Sequence, residues 1–466
     1  MFFLKPLSTC SIFINELNDS LKSMGERPLT RAQSLWISIC ITGVLVTNSV
    51  CWKRFERACF GEHRSNTLSK MFCRGKLFWD QLLRASVYRI IEAYDITSGV
   101  LALDGTDNKR SKNTTTIAKV HKLKDKSSGG YVMGQSLTLL LLITDKVTVP
   151  VGFEFYEPDP KQKQWLKEYQ VAKKAGLSKA SRPKRPERNS DYLTQTEVAL
   201  NLIRRFKTDF PSIKIKAILA DAYYGSNNFF SEAALIAKDV QLISQVKKNQ
   251  KIKHYGRYKS IEMYFNAYGG VERKISIRGE EKTVIIHGAR LYLKAHGCKR
   301  FIIALKYEGE TEYRYLVASE LTWRLTDIAA GYTLRWLVEV FIQDWKSYEG
   351  WCQLAKQPGV EGTRKGVILS LLTDHFLLLH KDQMALIKDK LPAATVGSLR
   401  DRERAKAMIE AIEMLVQDKN DAKSIASQLR ISIENIIPLR PSQKHMGHKK
   451  MPSLEPASSL THLKAA

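Results

Sequence analysis

The spacing of hydrophobic positions changes along the chain, and each change marks a different kind of element. Residues 1 to about 90 carry apolar side chains at helical spacing, and WKRFERACF (52–60) and SNTLSKMF (65–72) predict two short helices around Gly61. From about residue 98 the period shortens. GVLALDGT (99–106), YVMGQSLTLLLLI (131–143) and TVPVGFEFY (148–156) are apolar or alternating runs bounded by Gly, Pro and Asp, and they predict three consecutive antiparallel strands. The stretch 161–189 has ten Lys/Arg against two Glu, with prolines, and reads as an exposed loop or arm suited to phosphate contact. Next come a helix over Tyr192 to Lys207, a strand IKAILAD (215–221), a helix from about Asn227 and a strand VQLISQV (240–246). Residues 250–320 alternate in strand-like pieces such as EKTVIIHGARLYLKA and RFIIALKYEGETEYRYLVAS, and read as a β-rich insertion. A single helix from about Thr326 to Glu349 follows. Beyond 390 the chain is helical and then polar, and its basic tail, RPSQKHMGHKKMPS, is expected to be disordered.

Three strands, then helix, strand, helix and strand, is the order of an α/β, ribonuclease H-like core. The chain then divides into a helical N-terminal DNA-binding domain (1–90), a first core part (98–248) and the β-rich insertion (249–322). A second core part (323–390) and a helical C-terminal region with its tail (391–466) complete it. No internal repeat with a period of roughly 20 to 50 residues is visible.

Composition narrows the function. Hydrophobic residues make up 44% of the chain, enough to bury a core and to exclude wholesale disorder. Lys and Arg number 74 against 47 Asp and Glu, a formal charge of +27 that asks for a polyanionic partner such as nucleic acid. The N-terminus lacks the pattern of a secretory signal. The charge-free stretch Leu35 to Trp52 contains Ser, Thr and Asn, and reads as a buried helix rather than a membrane span. Seven cysteines, none in a C-x-x-C pair, fit reduced thiols in a cytoplasmic protein better than disulfides or a zinc site. The two helices around Gly61 have the layout of a helix-turn-helix, with Asn66, Ser69 and Lys70 on the reading helix. A plain helical hairpin is the alternative.

Three carboxylates carry the chemistry. Asp104 ends the strand LALDGT, and Asp221 ends the strand ILADAYYG, where Gly225 closes the turn. Strand ends at a sheet edge are where ligands are held most rigidly. At 100° per residue Tyr332, Arg335, Glu339 and Lys346 share a sector of roughly 60°, opposite Leu337, Val338, Phe341 and Trp345. An exposed Arg335–Glu339 ion pair is the bland reading of that face. Asp107 competes with Asp104 for the first position, and Asp344, off the polar face, with Glu339. Phosphodiester transfer by in-line displacement suits such a set, because two Mg²⁺ ions about 3.5–4 Å apart need only a few hard oxygen ligands. Arg335 can then grip phosphate bidentately, Lys346 as a point charge, and Tyr332 by a hydrogen bond. The segment NKRSKNT after Asp104 adds Lys109, Arg110 and Lys112 as candidate DNA contacts. His375 and His380 read as core histidines.

The string YTLRWLVEVFIQDWK meets Y-x2-R-x3-E-x6-K at every spacing. It resembles the signature of the cut-and-paste DDE transposases of bacterial insertion sequences, in the IS-four-like branch. LDGTDNKRSKNT and ILADAYYG look like that family's first and second aspartate motifs, and the resemblance runs from about 98 to 390. It implies a catalytic, metal-binding set of Asp104, Asp221 and Glu339 holding two Mg²⁺ ions, with Mn²⁺ able to substitute. It also implies cleavage of double-stranded DNA at transposon ends, strand transfer into target DNA, and commonly a hairpin intermediate with a flipped base held on an aromatic. Tyr313, Tyr315 and Trp323 are the candidates for that ring. A homodimer on DNA and a nucleoid-associated location are the further expectations. A non-catalytic repressor derived from an element, or a nuclease of the same fold without joining activity, are the alternatives.

Overall fold

A computed structural model describes residues 2–465 except 111–115, 126–127, 239, 278, 352–357, 416–422, 425, 428–429, 431–438, 448 and 450. The N-terminal region is helical: α1 (Ser8–Ser23), α2 (Arg31–Thr47), α3 (Trp52–Ala58), α4 (Ser65–Arg74) and α5 (Trp79–Ala93). A capping box of Thr30 and Gln33 starts α2, whose residues Trp36 to Val46 are buried without interruption. Protein therefore surrounds this apolar helix on every side. Among the described residues no single helix is long and apolar enough to cross a membrane. The rings of Trp36, Trp52, Phe72 and Trp79 meet, with Trp52 and Phe72 centred 5.1 Å apart, and lock α3 and α4 onto α2 and α5.

Four strands follow: β1 (Ser98–Arg110), β2 (His121–Lys124), β3 (Tyr131–Ile143) and β4 (Thr148–Tyr156). The short β2 is additional to the three strands expected there. Instead of an unstructured arm, Pro160–Lys174 forms a helix, α6. Asp159 caps it by accepting from the amides of Lys161 and Gln162, and Pro160 stands at its first turn, a start signal that the dense positive charge obscured. The chain then alternates through α7 (Gln195–Asp209), β5 (Lys214–Leu219), α8 (Asn227–Ala237) and β6 (Gln241–Gln245).

The segment 249–322 builds β7 (Lys251–His254), β8 (Arg257–Ser260), α9 (Ile261–Ala267), β9 (Val271–Ile277), β10 (Glu280–Leu293), β11 (Cys298–Tyr307) and β12 (Arg314–Ala318). It is followed by α10 (Leu325–Thr333), α11 (Trp336–Tyr348), α12 (Gly359–Leu378), α13 (Lys381–Lys388) and α14 (Val396–Leu415).

The strands of the described residues form one mixed sheet. Its first half runs β4-β3-β1-β5-β6, with β3 antiparallel to β1 and β4, and β5 and β6 parallel to β1. β12 pairs antiparallel with β6, and the sheet continues through β11, β10, β7 and β8, while β9 lies along the start of β10. The β-rich segment thus prolongs the same sheet. Alternate residues of β1 and β3 serve two cores. Val100, Ala102, Leu139 and Leu141 pack with the N-terminal helices, α11 and α12, and Leu101, Leu103, Leu140 and Leu142 with α7 and α8. Burial on both faces explains why β3 reads as a continuous apolar run.

Two further expectations fail. The helix expected over Thr326–Glu349 is broken: the amides of Leu334, Arg335, Leu337 and Val338 bond three residues back, which ends α10 and restarts the chain as α11. The tail is not loose where it is described. Lys444 is buried and ion-paired with the buried Asp374, the Thr148 amide donates to His445 Nδ1 at 2.9 Å, and Met446 is buried. Composition alone predicted exposure, but a lysine can be buried when a carboxylate meets its head and apolar surface covers its stem.

Candidate active site

Asp104 does not end its strand. β1 continues to Arg110 beside β3, but its pairing with β5 stops at Ala102 opposite Leu219. Asp104 therefore sits just past the point where the parallel pairing ends, on a strand still held from the other side. Asp221 lies two residues beyond β5. Its Oδ1 accepts from the Tyr223 amide at 2.9 Å, and its carbonyl accepts from Ser244 Oγ at 2.7 Å. The turn that follows presses on β6: a Cβ at Gly225 would stand 2.7 Å from the Gln245 carbonyl oxygen, so only glycine fits. Both aspartates thus stand at the same end of the central parallel strands.

Glu339 occupies the first turn of α11 and is half-exposed. One guanidinium joins it to Asp104. Arg335 Nη1 donates to Asp104 Oδ2 at 2.6 Å, and Nη2 donates to Glu339 Oε1 at 2.5 Å. Burial pushes the Asp104 carboxyl above its ordinary range. Arg335 and the Gly105 amide draw it back, whereas the charges of Asp221 and Glu339 raise it further. The three carboxylates therefore share one electrostatic neighbourhood, with Arg335 holding two of them.

The other residues of the expected polar face part company. Tyr332 belongs to α10, is buried, and its hydroxyl donates to the Ala220 carbonyl at 3.3 Å. Its expected exposure is overturned by the helix break, which turns its ring inward and clamps α10 to the chain one residue before Asp221. Lys346 reaches β1, where its Nζ donates to the Asp107 carbonyl at 3.1 Å. The side chain of Asp107 accepts from Ser136 Oγ at 2.7 Å. By strand alternation it faces away from Asp104. Lys109 pairs with Asp125 at 2.9 Å, and Arg110 Nε donates to Gln135 Oε1 at 3.1 Å, so both are engaged along the sheet. Lys112 lies outside the described residues. Asn66 and Lys70 are exposed on α4, whose Leu68 and Phe72 point inward. The turn between α3 and α4 contains Gly61 at φ +82°.

Some neighbours of the site were not singled out by sequence reasoning. Tyr223, beside Asp221, is 56% exposed. Trp336, next to Arg335, borders a groove that also includes Tyr307, Arg314, Arg335 and Glu339. The aromatic pair at 223–224, just beyond Asp221, was the available signal for Tyr223; nothing local marked Tyr307. Of the three candidate rings for a flipped base, Tyr315 and Trp323 are core residues.

A divalent ion fits the chemistry of this donor set. All three ligand types are hard oxygens, and the repulsion that raises Asp104 is what a cation would relieve. As the side chains stand, no group of three ligating residues among those described is close enough to hold an ion. Arg335 occupies that role, with its charge between Asp104 and Glu339.

Residues 56–257 match the family model described as DDE superfamily endonuclease, and residues 188–372 match the one described as transposase DDE domain. No curated protein matches the chain. The first match contains Asp104 and Asp221, and the second contains Asp221 and Glu339. Together the two matches support a DDE transposase, with the nuclease-type chemistry and the DNA substrates which that family implies.

Proposed function

We propose that this protein is a cut-and-paste transposase of the IS-four-like branch, built on a ribonuclease H-like core, with Asp104, Asp221 and Glu339 as its catalytic carboxylates. The observation that carries the reading is the fork of Arg335, which draws a strand residue and a helix residue 235 positions apart to one spot beside Asp221. The strand order β4-β3-β1-β5-β6 supports the core assignment.

When bound, a pair of Mg²⁺ ions supplies Lewis-acid activation of the attacking oxygen and stabilisation of the leaving one. Asp104, Asp221 and Glu339 would hold them, with Mn²⁺ able to substitute. The chain's own residues supply position and charge. In cleavage, a water oxygen bonds to phosphorus and the bond to the departing 3′ oxygen breaks. In transfer, the oxygen of the freed 3′ hydroxyl bonds to a target phosphorus while the bond from that phosphorus to the target's own 3′ oxygen breaks, and the proton passes to the departing oxygen. Arg335, released from the carboxylates, has the fork geometry to grip a non-bridging phosphate oxygen pair, and Lys346 lies about two turns beyond Glu339 on the same helix. Asn66 and Lys70 on α4 would contact the element ends, and Lys109, Arg110 and Lys112 the DNA near the cut. A hairpin step would need a ring for the flipped base. Trp336 and Tyr307 border the catalytic groove and suit that role better than the buried Tyr315 and Trp323. A dimer would hold two ends together, in the cytoplasm at the nucleoid.

Asp104→Ala, Asp221→Ala and Glu339→Ala should each lower Mg²⁺-dependent cleavage of element-end duplexes by about three orders of magnitude, roughly 4 kcal/mol of transition-state stabilisation. Gel-shift binding to the same duplexes should survive. Retained cleavage in any one of them would remove that residue from the metal set. A nuclease without joining activity is the second reading, favoured by the endonuclease description of the first match. Nicked ends with no strand-transfer product would decide for it.

A further inference from the structure

At the far edge of the sheet from β4, the hairpin of β7 and β8 presents a surface that the carboxylate site does not use. β8 is the outermost strand on this side. Residues 247–260 hold six Lys/Arg and no acid. Ile252 is buried against the sheet, while its neighbours Lys251 and Lys253 are exposed on the opposite face. Across the strands Lys253 pairs with Tyr258, and Lys294 Nζ lies 4.9 Å from the centre of the Tyr258 ring. On the inner side the His254 ring sits among Tyr255, Tyr264 and Tyr268, with Lys259 near the latter two. Among the described residues Lys251, Lys253 and Arg257 have no carboxylate partner.

The tip is the unusual part. Tyr255 and Gly256 both have positive φ, +46° and +76°, the backbone of a tight two-residue hairpin turn. Asn or Asp commonly fills the first of these places, because a bulky side chain is strained there. Here a tyrosine fills it and remains 89% exposed. Lysines alone would be explained as protection of an open sheet edge. Edge protection does not call for exposed rings set between the cations. That combination is how proteins hold nucleic acid: cations on phosphates, rings on bases.

We propose that the β7–β8 hairpin is a second DNA-contacting surface, separate from the carboxylates, where Lys251, Lys253 and Arg257 meet backbone phosphates and Tyr255 stacks on an unpaired base. The proposal rests on the reading of the protein as a DNA-processing enzyme, but it is tested without cleavage. Fluorescence anisotropy of the full chain with an arbitrary labelled duplex, over a range of salt concentrations, gives the slope of log affinity against log salt. Replacing all three cations, K251Q/K253Q/R257Q, should flatten that slope by about 2.7, three phosphates at about 0.9 each. Tyr255→Ala should leave the duplex slope unchanged and weaken binding to a single strand by about tenfold. Glutamine keeps the exposed strand positions polar, and an unchanged thermal midpoint confirms the fold. A wild-type salt slope in the triple variant overturns the surface. Full single-strand affinity in Tyr255→Ala overturns the stacking role. Failure of the catalytic reading would appear elsewhere, as absent Mg²⁺-dependent cleavage by the unaltered protein.

Discussion

Arg335 shows how one side chain can stand in for a metal charge. Its fork bridges Asp104 and Glu339 and offsets part of their joint charge, so a cation entering between them must displace it. Arg335→Gln should therefore bind Mn²⁺ about tenfold more tightly, by titration calorimetry, while cleavage falls because the phosphate grip is gone. Weaker Mn²⁺ binding in that variant would show that Arg335 organises the carboxylates rather than competing for them. Because burial raises the Asp104 carboxyl, protons should compete with the metal at a higher pH than they would at an exposed aspartate. A different residue governs stability in acid. His375 is fully buried, with Nε2 2.9 Å from the Pro150 carbonyl and Nδ1 2.6 Å from Ser86 Oγ. Burial holds its pKa down to about 4. The unfolded chain takes up this proton near the ordinary histidine value, so the contribution is complete above about pH 6.5 and is lost as pH falls towards 4. The loss should reach about 3 kcal/mol. His375→Gln should lose that part of the pH dependence in thermal melts recorded between pH 7 and 4.

At the scale of elements, the legible parts were those with strong local signals. The runs of β3 and β4 and the turn after Asp221 lie where residue type and spacing placed them, whereas β1 runs on past its expected end to Arg110. What could not be read was decided by distant partners. The break between α10 and α11 has no Pro or Gly at Leu334 or Arg335. On either side of it Tyr332 bonds to Ala220 and Arg335 to Asp104, partners that only the folded sheet supplies. A helical wheel drawn through the break therefore grouped Tyr332 correctly with Glu339 in sequence but on the wrong side in space. Tyr332→Phe should cost less than about 1 kcal/mol and leave cleavage within a few-fold of wild type, as expected for one long neutral hydrogen bond. A loss of a hundredfold or more would restore Tyr332 to direct contact with DNA.

Across the whole molecule, the buried Lys444 ties the C-terminal segment to the back of α11. Its charge lies against Asp374, near Glu349 and Asp344, and 5.3 Å from the centre of the Phe341 ring on α11. Burial works against the Lys444 charge, yet these acids hold its pKa above the ordinary lysine value. Burial and the neighbouring Asp374 raise Glu349 well above the carboxylate range. Lys444→Ala should cost about 3–5 kcal/mol in urea unfolding, because it strands a buried carboxylate. Pairing Lys444→Met with Asp374→Asn should recover much of that loss. Equal instability of the single and double variants would mean that the tail is held by its apolar contacts instead. A polar, basic sequence disguised this role, since only the three-dimensional partners of Lys444 make its burial tolerable.

The position of that lysine also sets an order in time. Asp374 is synthesised seventy residues before its partner, and α11 before both. On the ribosome, therefore, the sheet and its carboxylates emerge while the rear of α11 still faces an uncompensated acidic hole. The packing behind α11 is therefore completed only after Lys444 has emerged, later than the strands beside Asp104 and Asp221.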